Sequence, residues 1–409
     1  MDARDPQDTA PRLRILIGSD TYPPDVNGAS YFTARLADGL AARGHDVHVA
    51  APSPTGAPAV VRTPAGVVEH RLRSLTSIAH PTVRLALPPG APGHLDRLLR
   101  RLRPHAVHVQ NHFLIGRLLL GAARRSGTAV IATNHFMPEN LFDYVGVPRP
   151  LRAPVAQAAW ADLGRTLAGA DHVTAPTPIA AGLMAAQGFG RPVEAVSCGI
   201  DLGRFRPPGD GERAAARARL QLPDRPTAAF VGRLDEEKRV EELVAALAQH
   251  GLEHAVLVLA GTGAHRARIE RRARELGAAG RVRFLGFVPD ADLPLVYRAA
   301  DVFAIAGTAE LQSIATLEAM ASGLPVVAAD AMALPHLVRP GSTGYLYPPG
   351  RPDLLARRLG ALLGDAAERA ALGAAGRAAA SEHDHERSLS RFEEIYRRSY
   401  RDGAGAAEP

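Results

Sequence analysis

Residues 307–325 read GTAELQSIATLEAMASGLP. The run ahead of them, AADVFAIAG, is continuously apolar, and PVVAAD behind them is another such run. Both have the composition of buried strands. Between them Leu311, Ile314, Leu317 and Met320 recur at helical spacing, so LQSIATLEAMASG is expected to be a helix. Ser313 or a neighbour is its expected cap, and Gly323 with Pro325 ends it. Strand, helix and strand in this order are the repeating unit of a parallel α/β sheet.

Two acids divide this stretch. Glu310 precedes the helix, in the loop leaving the carboxyl end of a strand, and Glu318 lies more than a turn inside. The N–H groups and positive dipole end between them suit a phosphate. A nucleotide-sugar would then have its sugar near Glu310 and its ribose near Glu318. The alternative makes Glu318 a solvated helix residue and Glu310 a partner of the helix dipole.

Working outward, the same alternation fills the chain. RILIGSD (14–20) is a strand, TYPPDVNGAS a loop, and a helix is expected from about Tyr31 to Arg43, followed by the strand DVHVAAP. This opens a doubly wound parallel sheet. In the loop, Asn27-Gly28-Ala29 presents small residues through which backbone can approach a phosphate or sugar; a plain Asn-Gly turn is the alternative. AVHVQNH (106–112) and TAVIATNHF (128–136) each deliver an Asn-His pair at a strand end, Asn111-His112 and Asn134-His135. Histidine there can donate to, or orient, a reacting hydroxyl at neutral pH. HFMPENLFDYVG, containing Glu139, reads as an acceptor-recognition loop, and VEAVSCGID as the last strand of this half. HLDRLLRRLRPH is an amphipathic helix with Arg97, Arg100, Arg101 and Arg103 opposite its leucines, either a solvated face or a patch for an anionic membrane.

The expected divisions are a disordered lead (1–11), one Rossmann-like domain (12–206), a second (207–382), a C-terminal helix crossing back to the first (383–402) and a disordered tail (403–409). In the second half TAAFVGRL is a strand that releases Gly232 and Arg233, and AVLVLAGTG ends in Gly261-Thr262-Gly263. RVRFLGFVP can present the backbone of Phe287 and Val288 to a base.

Composition narrows the class. With 409 residues, 46% hydrophobic and 22% charged, the chain is an ordinary globular protein of two domains. No apolar run reaches membrane-spanning length, and the first residues lack a signal-peptide core. The single cysteine, Cys198, excludes an intrachain disulfide and fits a reducing cytoplasm. A net charge of +6 favours anionic partners, but aromatics at 5% and the absence of a binding motif argue against nucleic acid. Among 48 basic residues one alone is lysine, Lys238. It stands in the expected first turn of the helix DEEKRVEELVAALAQ, where a cation opposes the dipole, a placement that makes sense beside a diphosphate.

These motifs, in this order, resemble the retaining glycosyltransferases of family 4 over roughly residues 12–400: the Asn-Gly-Ala loop, His135, Ser-Cys-Gly-Ile-Asp, Gly232-Arg233 with Lys238, Gly261 and Gly263, then Glu310 and Glu318 followed by AMASGLPVV. The resemblance implies the GT-B fold, two Rossmann-like domains facing a cleft, and transfer of a glucose- or mannose-type hexosyl group from a UDP- or GDP-linked sugar to a hydroxyl. No cofactor or metal is implied, because cations of the chain neutralise the diphosphate. Arg233 and Lys238 would clamp it, Glu310 would hold sugar hydroxyls, Glu318 the ribose, and His135 the transferred sugar. Gly28, Gly232, Gly261, Gly263, Gln312, Ser313, Ile314, Phe287 and Val288 would complete the donor site, and Asp20, Asn27, Asn134 and Glu139 the acceptor side. Two places depart from the family pattern: Gln312-Ser313 replaces an aromatic-glycine pair, and Cys198 replaces an asparagine, so the sugar contacts are expected to differ from the family's. NHFMPENL resembles lipid-glycosylating members, which implies a lipid or glycolipid acceptor and a location at the inner face of the plasma membrane. The competing readings are an epimerase of the same fold and a non-catalytic nucleotide-sugar-binding protein.

Overall fold

The computed structural model describes residues 11–77, 84–87, 89–142 and 146–405. They form two compact units, one of residues up to Val196 plus those from Leu389 on, the other Ser197–Ser388. Residues 1–10 of the expected lead and part of the expected tail lie outside the described residues.

The first unit contains β1 (Arg14–Gly18), α1 (Gly28–Ala42), β2 (Asp46–Pro52), β3 (Ala59–Arg62), β4 (Val68–Leu72), β5 (Ser74–Thr76), β6 (Arg84–Ala86), α2 (Ala91–Leu102), β7 (Ala106–Val109), α3 (Leu114–Arg125), β8 (Ala129–Thr133), α4 (Arg152–Leu167), β9 (His172–Ala175), α5 (Pro178–Ala186) and β10 (Glu194–Ala195). Its main sheet runs β10-β9-β8-β7-β1-β2-β4-β3 and is parallel except for β3. β5 and β6 form a separate antiparallel pair. Central strands are buried on both faces, as Ile15, Leu16 and Ile17 show, which is why they read as unbroken apolar runs. The chain leaves β1 on one side for β2 and later returns to its other side for β7. Gly18 is level with Ala50 and Val109, so the loops after β1 and β7 emerge side by side at a topological switch point.

The second unit contains α6 (Glu212–Arg219), β11 (Thr227–Val231), α7 (Val240–Leu247), β12 (Val256–Ala260), α8 (Arg266–Glu275), β13 (Val282–Gly286), α9 (Leu293–Ala299), β14 (Val302–Ile305), α10 (Ile314–Ala321), β15 (Val326–Ala329), α11 (Leu334–Leu337), β16 (Gly344–Tyr347), α12 (Pro352–Gly364) and α13 (Ala366–Ala380), followed by α14 (His385–Gly405). The order β13-β12-β11-β14-β15-β16, all parallel, repeats the device. Its switch point lies between β11 and β14.

Several expectations shift. Helix α10 starts at Ile314, because Ser313 has left-handed backbone (φ 69°) that Leu311 and Gln312 cannot continue as helix. Lys238 is outside α7: it ends a 3-10 turn at Glu236–Lys238, and Arg239 at φ 50° separates that turn from the helix. α1 begins at Gly28, since the Asn27 side chain caps it by accepting from the Ser30 N–H. Only Glu194 and Ala195 of VEAVSCGID form a strand. The sequence reading divided the domains after residue 206; the contacts divide them at Val196, because Ile200 and Phe205 are buried in the second core. α14 runs to Gly405, past the expected residue 402, and buries Leu389, Phe392, Ile395 and Tyr396.

Candidate active site

At the second switch point, Gly232 and Arg233 follow β11, and residues 307–313 follow β14. Arg233 pairs with Asp235 at 2.8 Å and Glu237 at 2.6 Å. Asp235, buried, also accepts the Ala264 N–H, so one carboxylate ties this arginine to the loop after β12. Lys238 donates to Glu310 Oε1 at 2.6 Å, and both side chains are largely buried. The Thr308 N–H and the Glu237 carbonyl join the two loops. Gly307 leaves room for the Glu310 carboxylate: a Cβ there would stand 2.9 Å from Oε1.

Two expected donor glycines have a packing reason. A Cβ on Gly261 would lie 1.9 Å from the Gly232 carbonyl oxygen, and one on Gly263 would lie 2.4 Å from the Leu234 backbone. Only glycine allows these loops to touch. Ser313 stands at the cap position of α10 but does not cap it; its hydroxyl meets Thr316 Oγ1 at 2.8 Å. The first N–H groups of α10, Ile314 among them, therefore have no side-chain cap and suit an anion. Glu318 is buried rather than solvated, and accepts from Tyr297 Oη at 2.7 Å. Phe287 is 54% exposed at the end of β13, with Val288 half-buried beside it. The two departures from the family pattern prove to be partners: buried Gln312 accepts from the Cys198 N–H at 2.9 Å and donates to Ser197 Oγ at 2.7 Å. Its side chain is turned to that segment.

The first switch point has a different chemistry. Both Asp20 oxygens accept from backbone N–H groups, of Ile115 and Gly116 at the start of α3. Burial nevertheless pushes its carboxyl up to about 6. Asn134 accepts from the Phe136 N–H at 3.0 Å and Glu139 from Trp160 Nε1 at 3.0 Å. With Asn27 on Ser30, each of the four residues expected to meet an acceptor has an oxygen committed to the protein's own donors. The cause is general: loops that turn sharply at strand ends and helix starts leave N–H groups needing partners. Gly28 is exposed. His135 packs on Phe32 (centroids 4.8 Å apart) and bonds Gln110 through Nε2 at 2.9 Å. Desolvation lowers its pKa to about 4, so the ring is neutral at physiological pH.

Beside it lies an apolar cavity of ≈ 270 Å³. Phe113, Phe136, Phe142, Val147 and Val155 line it, His112 closes it, and an Arg117–Asp162 pair (2.5 Å) borders it. No three or more His, Cys, Asp or Glu side chains among the described residues gather where a metal ion could be held. No helix among them is long and apolar enough to cross a membrane.

Both halves match known families. The profile for glycosyl transferases group 1 covers residues 212–379, and that for glycosyltransferase family 4 covers residues 26–204. A GDP-mannose-dependent alpha-mannosyltransferase of Mycobacterium tuberculosis is 33% identical over 83% of this chain and 84% of its own. The chain belongs to the group 1, family 4 glycosyltransferases. A D-inositol 3-phosphate glycosyltransferase of Segniliparus rotundus is 32% identical over 73% of this chain and 68% of its own. Among solved structures, a sucrose-phosphate synthase from Thermosynechococcus elongatus superposes with TM-score 0.79 at 25% identity, covering 96% of this chain and all of that one. HepE of Anabaena in complex with UDP gives 0.74 at 20% identity over 94% of this chain and 99% of its own. The fold of this glycosyltransferase is thus GT-B.

The sequence reading missed Asp235, Glu237, Tyr297, Gln110 and His108. For the first two a signal existed: acids beside a cation in DEEK. For Gln110 and His108 the signal was two polar residues at i and i+2 in a strand otherwise apolar, hence on one face.

Proposed function

We propose that this glycosyltransferase moves a hexosyl group from a nucleotide-diphosphosugar to a hydroxyl acceptor with retention of anomeric configuration. The observation that carries the reading is the Lys238–Glu310 pair at the second switch point, where cation and carboxylate stand 2.6 Å apart beside an uncapped helix start. A diphosphate there meets Lys238, Arg233 and the α10 N–H groups, while Glu310 accepts from sugar hydroxyls. As the bond from anomeric carbon to phosphate oxygen breaks, negative charge grows on the diphosphate, and fixed cations lower that barrier. The acceptor oxygen bonds to the anomeric carbon on the leaving-group face, and its proton passes to the departing phosphate oxygen. His135 contacts the transferred sugar. The two cations make a metal unnecessary in this reading, so turnover should survive a chelator.

The relatives' names support GDP-mannose as the first donor to try. An acceptor with an apolar segment is supported by the aromatic cavity next to Asn134 and His135, and a lipid or glycolipid has that character. Such an acceptor places the enzyme at the cytoplasmic membrane surface. The basic residues of α2 then supply the attraction to anionic lipid.

Turnover of GDP- and UDP-hexoses by the wild type, Lys238→Ala and Glu310→Gln tests the reading, with NMR of the product to read its anomeric configuration. Both variants keeping wild-type turnover, or an inverted product, would sink it. Conversion of donor to its epimer without acceptor would favour the epimerase. For the membrane, co-sedimentation with anionic vesicles should be lost at high salt.

A further inference from the structure

We propose that Gln110 is a positioning residue that holds His135 as its Nε2–H tautomer, and that Tyr396 on α14 sets the direction of this hold through His108. The inference rests on the proposed contact of His135 with the sugar.

The groups form a buried hydrogen-bonded row. His135 Nε2 meets Gln110 Oε1 at 2.9 Å, and Gln110 Nε2 meets His108 Nδ1 at 3.3 Å. His108 Nδ1 also meets Tyr396 Oη at 2.8 Å, while its Nε2 meets Thr133 Oγ1 at 2.6 Å. Thr133 and Thr174 hydroxyls close the row at 2.7 Å. Gln110, His108, Thr133, Thr174 and Tyr396 are all within about 1% of full burial, so none relies on water.

Only two proton arrangements fit. In the first, Tyr396 donates to the one lone pair of His108 Nδ1 at 2.8 Å, and the Gln110 amide shares that lone pair more weakly at 3.3 Å. His108 then carries its proton on Nε2 and donates it to Thr133, whose own proton goes to Thr174. The Gln110 oxygen accepts from His135, which is therefore protonated on Nε2, and Nδ1 keeps its lone pair. In the second, every bond and the Gln110 amide are reversed, and His135 is protonated on Nδ1. The first leaves the Thr174 proton without a bond in this row, and the second leaves the Tyr396 proton so. A phenol is the stronger donor and the poorer acceptor, so stranding its proton costs more. The helix that arrives last in the chain thereby selects the tautomer at the sheet's carboxyl end. His135 Nδ1, which has no bond among the described residues, is left to accept from a hydroxyl.

Long-range proton–nitrogen spectra of the ¹⁵N-labelled full chain test this, with His135 assigned by its absence in His135→Gln. Wild type should show His135 protonated on Nε2. Tyr396→Phe should bring in the Nδ1–H form, and Gln110→Met should remove the single tautomer. Gln110→Glu, which keeps an acceptor oxygen facing His135, should restore it. kcat should fall about tenfold in Gln110→Met, with donor KM within about threefold, because the ring is misheld rather than the donor site altered. A wild-type His135 protonated on Nδ1, or a tautomer indifferent to both Tyr396→Phe and Gln110→Met, overturns the proposal. Failure of the functional reading looks different: His135→Ala would then keep full turnover while the wild-type spectrum still showed Nε2–H.

Discussion

The two switch points share a topology and differ in charge. The second holds Arg233, Asp235, Glu237, Lys238 and Glu310 in ion pairs of 2.6 to 2.8 Å. The first, between β1 and β7, holds a carboxylate pressed toward its neutral form, with a neutral imidazole and an aromatic cavity on the loops beside it. The carboxyl end of one sheet carries formal charge, and that of the other carries neutral polar groups and apolar surface. The same strand order thus gives one fold two chemistries, and the difference lies entirely in the loops.

Removing the charge from the second site should show the contrast at its largest. Lys238→Ala should lower kcat by about 10²- to 10³-fold, ~3 kcal/mol, as for loss of one preorganised donor to a developing anion. Lys238→Arg should recover little of it, because a planar fork does not replace a compact ammonium in a site closed by Glu310. Steady-state kinetics check this. Equal rates for all three proteins would remove the distinction between the sites.

A neutral-leaning first site predicts a pH signature there. Asp20 has its folded pKa raised from 3.8 to about 6 by burial, against the backbone bonds that favour its anion. Between those values the folded state binds the proton more tightly than the unfolded state. Stability from this group is therefore complete below pH ~4 and is lost as pH rises through ~6, by roughly 2–3 kcal/mol. Asp20→Asn keeps an acceptor oxygen and removes the titration, so its stability should be flat over that window relative to wild type. Urea unfolding at several pH values reads the slope. An unchanged slope in the variant would assign it elsewhere.

What the sequence disclosed follows the range of the interactions. The alternation of strands and helices, the placing of Glu310 ahead of a helix and Glu318 within it, and the oddity of Lys238 are local and could be read. Three features could not. Gln312 finds Ser197 and Cys198 far back in the chain. His108 finds Tyr396 from the other end of it. Asp20 looked like a ligand residue because nothing in RILIGSD shows that a helix begins above it, at Leu114. Side chains at strand ends are ambiguous in sequence for one reason: the donors they satisfy belong to other elements. The short 3-10 turn at Lys238 was misread as helix because Arg239, at φ 50°, is an ordinary helix former by propensity.

Tyr297 offers a smaller test inside the charged site. Its hydroxyl serves Glu318 in a buried setting, so Tyr297→Phe should cost ~1–2 kcal/mol in stability by leaving that oxygen without its donor. If Glu318 also meets the ribose, donor KM should rise while kcat holds. Unchanged unfolding and unchanged KM together would show that Glu318 needs no such support.

The smallest effect concerns how the charged site is held open. Among the described residues, both Arg239 and Ser313, on the two loops that carry Lys238 and Glu310, have left-handed backbone without being glycine, at φ 50° and 69°. Among the described residues of the first unit the single such residue is Arg103, at the end of α2, while the second unit has Gln221 and Met332 as well. Such backbone costs a non-glycine residue about 1–2 kcal/mol. Ser313 stands where the family pattern has glycine, and its hydroxyl bond to Thr316 offsets part of that cost. Ser313→Ala loses the bond and keeps the strain; Ser313→Gly loses the bond and the strain but gains unfolded-state freedom. The glycine variant should therefore be the more stable of the two by roughly 0.5–1 kcal/mol. An alanine variant as stable as the glycine one would mean that the loop relaxes on substitution, and that the charged edge is kept in shape by its ion pairs alone.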